Sequence, residues 1–335
     1  MPTPAPAQAP DALWFTRCPV PTATGIAADQ GWLAAEFAAE GIAVRSLQDV
    51  PAELAADHHY THALPGLFRE GGNVPALWAR SRGEHTRLIG LTWIEERQVV
   101  LVRAGSGLRG AGALRGLRLA VPRHPIGIDF WQAMALAGFT GALGSVGLTL
   151  ADARLTEVTA QPGAGQWTAE LTALREGRVD AVYVKGALAV EAAQRFGAEA
   201  AVELDAEPDR RTRVNNGTPR PVTVRQDLLD ARPDLVARFL AVLLRAADWA
   251  AERPGEVARI LGAETGAGAA GVAGAYAADS HRTLHLSLAS DRLDLLAQQE
   301  RLLRQHGFLP EPVDVAAWAD PEPLRAAQAL LAARS

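Results

Sequence analysis

Apolar positions fall in short blocks along this chain, and the spacing inside each block sorts it into helix or strand. "GWLAAEFAAEG" (31–41) is amphipathic and stops on glycine, which predicts a helix; "IAVRSLQD" (42–49) predicts the strand after it. "TRLIGLTWI" (86–94) and "RQVVLVRAG" (97–105) are apolar runs bounded by polar residues, and each predicts a strand. "GLRGAGALRGLRLAVPR" (107–123) reads as a short helix feeding a strand, and "IDFWQAMALAGFTGALGSVG" (128–147) as a helix ending in glycines. "TAELTALREGRVDAVYVKG" (168–186) gives a helix, a stop at Gly177 and a buried strand. Past residue 213 the pattern changes to a loop, a short strand and a long amphipathic helix up to about residue 254. From there to Ser335 it is mostly helical, including "DRLDLLAQQERLLRQHGF" (291–308). Alternation of this kind predicts an α/β protein with mostly parallel sheets, long enough for two lobes, with helices closing the C-terminus. The expected division is a disordered Pro/Ala tail over 1–11, one lobe from 12–104 plus 221–335, and a second from 105–220.

Charge narrows the partners. Lys+Arg 33 against Asp+Glu 38 leaves a net charge of -5, so no basic field is present for a nucleic-acid backbone. Lys185 is the only lysine; every other positive side chain is arginine. No run is long enough to span a membrane, and the N-terminus lacks the basic and apolar regions of a secretory signal, so the expected location is the cytoplasm, or the periplasm for a binding protein whose signal has been removed.

Chemistry enters with one residue. Cys18 is the only cysteine, and it follows the strand-like "WFTR" (14–17) at the start of Cys-Pro-Val-Pro, where Pro19 and Pro21 stop regular pairing. A strand end is a place to present a reactive side chain. A lone cysteine is otherwise a small packing residue. His58 and His62 stand at i, i+4, as do His281 and His285, but neither pair has a third ligand at metal-site spacing, so no metal is expected. The glycines of "GAGALRGLRLAV" lack the order of a dinucleotide-binding loop.

The order of these blocks resembles the type II periplasmic-binding-protein fold of sulfonate and nitrate receptors, over residues 12–330, which implies a two-lobed α/β fold with mixed sheets and a helical C-terminus. A narrower resemblance rests on "CPVP" (18–21), "HYTHALPGLFREGG" (59–72) and "RLIGLTWIEERQVVLVR" (87–103). These are similar to the 2'-hydroxybiphenyl-2-sulfinate desulfinase family, cytoplasmic hydrolases of a carbon–sulfur bond. The resemblance implies that Cys18, His59 and Arg69 are catalytic, with Arg69-Glu70-Gly71-Gly72 in place of the family's Arg-x-Gly-Gly. It also implies that Trp131 stacks on the substrate. Thr16 and Arg17 stand where the family has Ser-Asn, and are expected beside the substrate.

An aryl sulfinate is a planar apolar body with a small anionic head, and no cofactor is needed to cleave it. Arg69 offers a planar fork for two oxygens, Gly71 and Gly72 allow backbone amides to approach them, and Trp14 and Trp131 offer apolar walls. Cys18 either protonates the ring carbon or attacks sulfur as a thiolate, with His59 setting the thiol's protonation state. The alternative function is a receptor that captures a sulfonate-like or other small organic anion for transport. That role needs Arg69 and the glycines but not the pair Cys18 and His59.

Overall fold

The computed structural model describes residues 11–17, 20, 22–160, 163 and 165–334. Residues 1–10 of the expected tail, and Cys18 with Pro19, lie outside the described residues.

Two five-stranded mixed sheets form the frame. The first contains β1 (Ala12–Phe15), β2 (Ala43–Ser46), β3 (Leu67–Glu70), β4 (Thr86–Thr92) and β10 (Arg220–Arg225), in the order β2-β1-β3-β10-β4. The second contains β5 (Gln98–Arg103), β6 (Arg118–Arg123), β7 (Arg154–Thr159), β8 (Ala181–Lys185) and β9 (Ala198–Glu203), in the order β7-β6-β8-β5-β9. In the first sheet β1, β2 and β3 are parallel and β10 runs antiparallel to both its neighbours. In the second, β6, β7 and β8 are parallel and β5 is the reversed strand. The chain crosses between sheets twice, through residues 93–97 and again before β10.

Each sheet has its own core. The helix Pro233–Ala251 turns Leu235, Val236, Phe239, Leu240, Leu243 and Ala247 inward against the first sheet, at the spacing its sequence predicts. Phe239 stacks on Phe68 of β3, with ring centroids 3.8 Å apart and planes 7° from parallel. The helix Phe130–Gly144 closes the second core over β5, β6 and β8. The second crossing is pinned to that core: Asn215 Nδ2 donates to Tyr183 Oη at 2.7 Å, and Tyr183 Oη donates to Gln98 Oε1 at 2.8 Å. The C-terminal helices Ser290–Gln305 and Glu322–Arg334 follow the expected helical end.

Local differences from the sequence reading have identifiable causes. The helix expected over 31–41 is cut to Trp32–Phe37 plus a 3-10 turn, because Gly31 and Gly41 both adopt left-handed backbone. The 42–49 strand is only Ala43–Ser46; Ser46 then caps a 3-10 turn through its hydroxyl. A helix at Ala23–Asp29 has no apolar stripe to announce it and starts where the Thr22 hydroxyl accepts from Gly25 N at 2.9 Å. β7 and β9 are edge strands with weak alternation. β3 hides in sequence because half of it is charged, yet all four residues are buried. Residues 98–103, expected with the first lobe, hydrogen-bond as β5 in the second sheet.

The Phe68–Phe239 stack ties the first sheet to its main helix, so Phe239→Ala is expected to cost about 3–5 kcal/mol. Urea denaturation of the wild type and the variant measures it as a lowered midpoint at unchanged slope.

Candidate functional site

A cavity of about 260 Å³ opens between the two sheets, at the carboxyl ends of β1, β3 and β8. That is where strand ends leave side chains and amides without further sheet to pair with. Among its described lining residues are four cations, Arg17, Arg69, Lys185 and Arg220, and one carboxylate, Glu96. The same lining has an apolar part: Phe130, Trp131, Met134, Trp167 and Leu188. Cationic groups sharing a space with aromatic side chains suit an aryl anion.

Arg69 is buried, 1% exposed, at the end of β3. Its guanidinium folds back so that Nη1 donates to the Gly72 carbonyl at 3.0 Å. That fold needs glycine next door: a Cβ on Gly71 would lie 2.6 Å from Arg69 Nη1, and 2.7 Å from the guanidinium carbon. A Cβ on Gly72 would in turn strike the Asn216 amide at 2.5 Å. The two glycines therefore make room for side chains. Gly71 N donates to the Pro221 carbonyl at 3.2 Å, so the amide expected to approach a ligand is used within the sheet. Glu70, pointing the other way, accepts from Thr24 N, the Thr24 hydroxyl at 2.7 Å and the Thr92 hydroxyl at 3.1 Å. Burial nonetheless raises its pKa.

His59 lies in the last turn of the helix Ala52–Thr61 and lines the cavity. Loss of water around the ring, and secondarily the Arg69 charge, hold its pKa down at about 3. It is therefore neutral at physiological pH. His62 is also buried and held well below its ordinary pKa, first by burial and then by the Arg69 charge. The helix ends before His62, which takes a left-handed backbone (φ 57°), so His58 and His62 do not share a helical face. In the second pair, His285 instead faces Asp248 at 2.8 Å. Among the described residues no cluster of His, Asp and Glu is assembled as a metal site.

Three residues not foreseen as site residues form the other polar part of the wall. Lys185 Nζ, at the end of β8, donates to Glu96 Oε1 at 2.5 Å, and Arg220 Nη2 is 3.8 Å from the same oxygen. All three are at least nine-tenths buried. They come from the first crossing, the second sheet and the start of β10, so no sequence spacing connects them. The one signal was compositional: the chain's only lysine ends a buried strand.

The aromatic wall is tightly set. Trp131 meets Trp167 edge to face at 5.0 Å and lies 5.2 Å from Phe130. Trp167 holds φ 63°, an unusual backbone for a large side chain.

The structure thus brings His59, Arg69, Gly72, Arg17 and Trp131 to one cavity. Arg17 is partly exposed there and also pairs with Asp49 at 3.2 Å. Cys18 lies outside the described residues, but Arg17 and Val20, on either side of it, both line the cavity. Thr16 is fully buried and its hydroxyl donates to the Glu70 carbonyl at 3.3 Å, so it braces β1 against β3 and does not line the cavity. Trp14 is on β1 under the Arg45 guanidinium at 5.6 Å, also away from the cavity.

No family model matches the chain. It is 29% identical to the 2'-hydroxybiphenyl-2-sulfinate desulfinase of Rhodococcus erythropolis, over 93% of this chain and 92% of that one. A cysteine-to-serine variant of the desulfurisation enzyme DszB, solved in complex with biphenyl-2-sulfinic acid, superposes with a TM-score of 0.75 at 27% identity. That superposition covers 95% of this chain and 99% of the other. The periplasmic aliphatic sulphonate binding protein SsuA of Escherichia coli superposes with a TM-score of 0.69 at 16% identity, over 93% of both chains, which is a likeness of fold. The chain accordingly has the two-lobed type II periplasmic-binding-protein-like fold and resembles the desulfinases within it.

The low pKa of His59 makes a prediction about stability. The unfolded chain takes up a proton on this residue near pH 6.5, while the folded chain does so only near 3. Stability present above pH 6.5 is therefore lost as pH falls toward 3, at up to about 1.4 kcal/mol per pH unit. Unfolding free energies of His59→Gln measured from pH 7 to pH 4 are expected to fall less steeply than those of the wild type, with His62 supplying part of the remaining slope.

Proposed function

We propose that this chain is an aryl-sulfinate desulfinase, a hydrolase that cleaves the carbon–sulfur bond of an aromatic sulfinate and releases sulfite. The observation that carries the reading is the cavity itself: Arg69 and neutral His59 share one space with the aromatic side chains Phe130, Trp131 and Trp167. The relative's activity and the sulfinate-bound neighbour point to the same chemistry.

In this reading the Arg69 guanidinium donates to the sulfinate oxygens, and the aryl rings lie along Trp131. Cys18 acts as the acid. An imidazole held at about 3 is a weak acceptor, so it leaves the proton on sulfur rather than forming a thiolate–imidazolium pair. The thiol gives its proton to the ring carbon that bears sulfur. The carbon–sulfur bond then breaks with its electron pair returning to the ring, and sulfur leaves as sulfur dioxide. Water adds to sulfur dioxide to give hydrogen sulfite and a proton, and that proton restores the thiol. The Arg69 charge stabilises the transient thiolate. The balance is one water consumed, one arene and one hydrogen sulfite formed, with no external redox partner.

The lobes in this reading are built on the two sheets and move about the two crossings; a cytoplasmic location goes with the enzymatic role. No helix among the described residues is long and apolar enough to cross a membrane. The fold shared with sulphonate-binding proteins supports a second reading, capture of a small organic anion without turnover.

Sulfite release from 2'-hydroxybiphenyl-2-sulfinate separates the two. Wild type is expected to turn it over and Cys18→Ser to abolish release while still binding the sulfinate. Arg69→Met is expected to lower kcat/KM roughly ten- to a hundredfold, the loss of a hydrogen bond to a charged group. Binding by wild type with no sulfite formed would establish the receptor reading instead.

A further inference from the structure

We propose that Lys185, Glu96 and Arg220 form a specificity subsite that reads a hydroxyl carried on the aryl body close to the sulfinate. The inference rests on the desulfinase reading and adds to it the part of the substrate that this second polar wall recognises.

Convergence is the first observation. A Cβ on Gly217 would lie 2.6 Å from Arg220 Nη2, 2.8 Å from Glu96 Oε1 and 3.0 Å from Lys185 Nζ. The three charged heads therefore meet over one bare backbone position that lines the cavity. The second observation is unspent donor capacity. Arg220 is 4% exposed, its Nε has no hydrogen-bond partner among the described residues, and its Nη2 stands 3.8 Å from Glu96, beyond hydrogen-bond range. The Nε is sealed from the cavity, but Arg220 lines that space, so the terminal nitrogens of its guanidinium remain for an acceptor on a ligand there.

The set of groups identifies what arrives. Lys185 and Arg220 donate, and Glu96 accepts. A hydroxyl uses both kinds at once, accepting from a cation and giving its proton to Glu96. A second carboxylate on the ligand would instead face the Glu96 carboxylate directly. Position also selects. Asn216 packs against Gly72, whose carbonyl holds Arg69, and Gly217 follows Asn216 in the chain and packs against the triad. The head site and the hydroxyl site are thus neighbours along one wall. A hydroxyl on the second ring, ortho to the biaryl bond, is brought close to the sulfinate in just this way.

A site built to bond a hydroxyl discriminates strongly against the analogue that lacks it, because its own buried groups are then left unpaired. The test compares kcat/KM for 2'-hydroxybiphenyl-2-sulfinate and biphenyl-2-sulfinate. Wild type is expected to favour the hydroxylated substrate at least tenfold, and Lys185→Met to bring that ratio toward one. The double substitution Lys185→Met, Glu96→Gln removes both charges of the pair together, and supplies the same ratio if the single variant does not fold. Calorimetric affinities of Cys18→Ser for the two sulfinates give the preference without turnover. A triad that merely ties the crossings together lowers both substrates alike and leaves the ratio unchanged, which overturns the proposal. So does a wild-type ratio within threefold of one, even while sulfite is released and the desulfinase reading stands. If neither substrate yields sulfite, that reading fails, and the Cys18→Ser affinity ratio still decides whether the triad reads the hydroxyl.

Discussion

Burying several cations where two sheets meet is the constraint on which the rest of this structure depends. Arg69, Lys185 and Arg220 are each nearly removed from water, and an isolated buried charge costs several kcal/mol. Each is answered locally: Arg69 by the Gly72 carbonyl, Lys185 by Glu96, and Arg220 by the field of the same carboxylate. Those answers dictate the surrounding backbone. Gly71, Gly72 and Gly217 are bare because charged or amide side chains occupy the space their Cβ atoms would take. The charges are not arranged for stability alone, since packed hydrophobic residues would do that at lower cost.

The two sheets make such a concentration of charge possible. Parallel β1, β3 and β8 end at the cavity, so the chain there is leaving the sheet and its side chains project into the space between lobes. The reversed strands β5 and β10 carry the chain across, and the segments leading into them supply Glu96 and Asn215–Gly217. Asn215, locked to Tyr183 and Met134, fixes the second crossing to the second core. A crossing pinned in this way also places Asn216 over the first turn of the helix Asn73–Ser81, where its Oδ1 accepts from Val74 N at 2.9 Å. The site geometry and the connection between lobes are thus one structural feature.

The electrostatic character of the cavity follows from this packing. His59 sits close enough to Arg69, and far enough from water, to stay neutral, so the cations face a ligand without a competing imidazolium. The aromatic side chains exclude water from part of the same space and strengthen each charge interaction inside. An aryl anion satisfies both halves of such a space, and a simple inorganic anion satisfies only one.

Sequence by itself determined the elements whose burial is one-sided or complete: the helix Pro233–Ala251, the helix Phe130–Gly144 and the strands Thr86–Thr92, Gln98–Arg103 and Ala181–Lys185, because their apolar spacing is a local property. It also picked out His59, Arg69 and Trp131 for the cavity, through short motifs that survive as contiguous strings. Tertiary structure alone decided the remainder. β3 is half charged and gains its burial from β1 and β10, which no window of sequence contains. Trp14 leaves the site because strand alternation, set by register with β2 and β3, turns it elsewhere, and Thr16 because its hydroxyl is tied to the Glu70 carbonyl. Lys185, Glu96 and Arg220 come together from three distant segments, and only the crossing of the chain between two sheets, with its long-range pairing, places them on one wall.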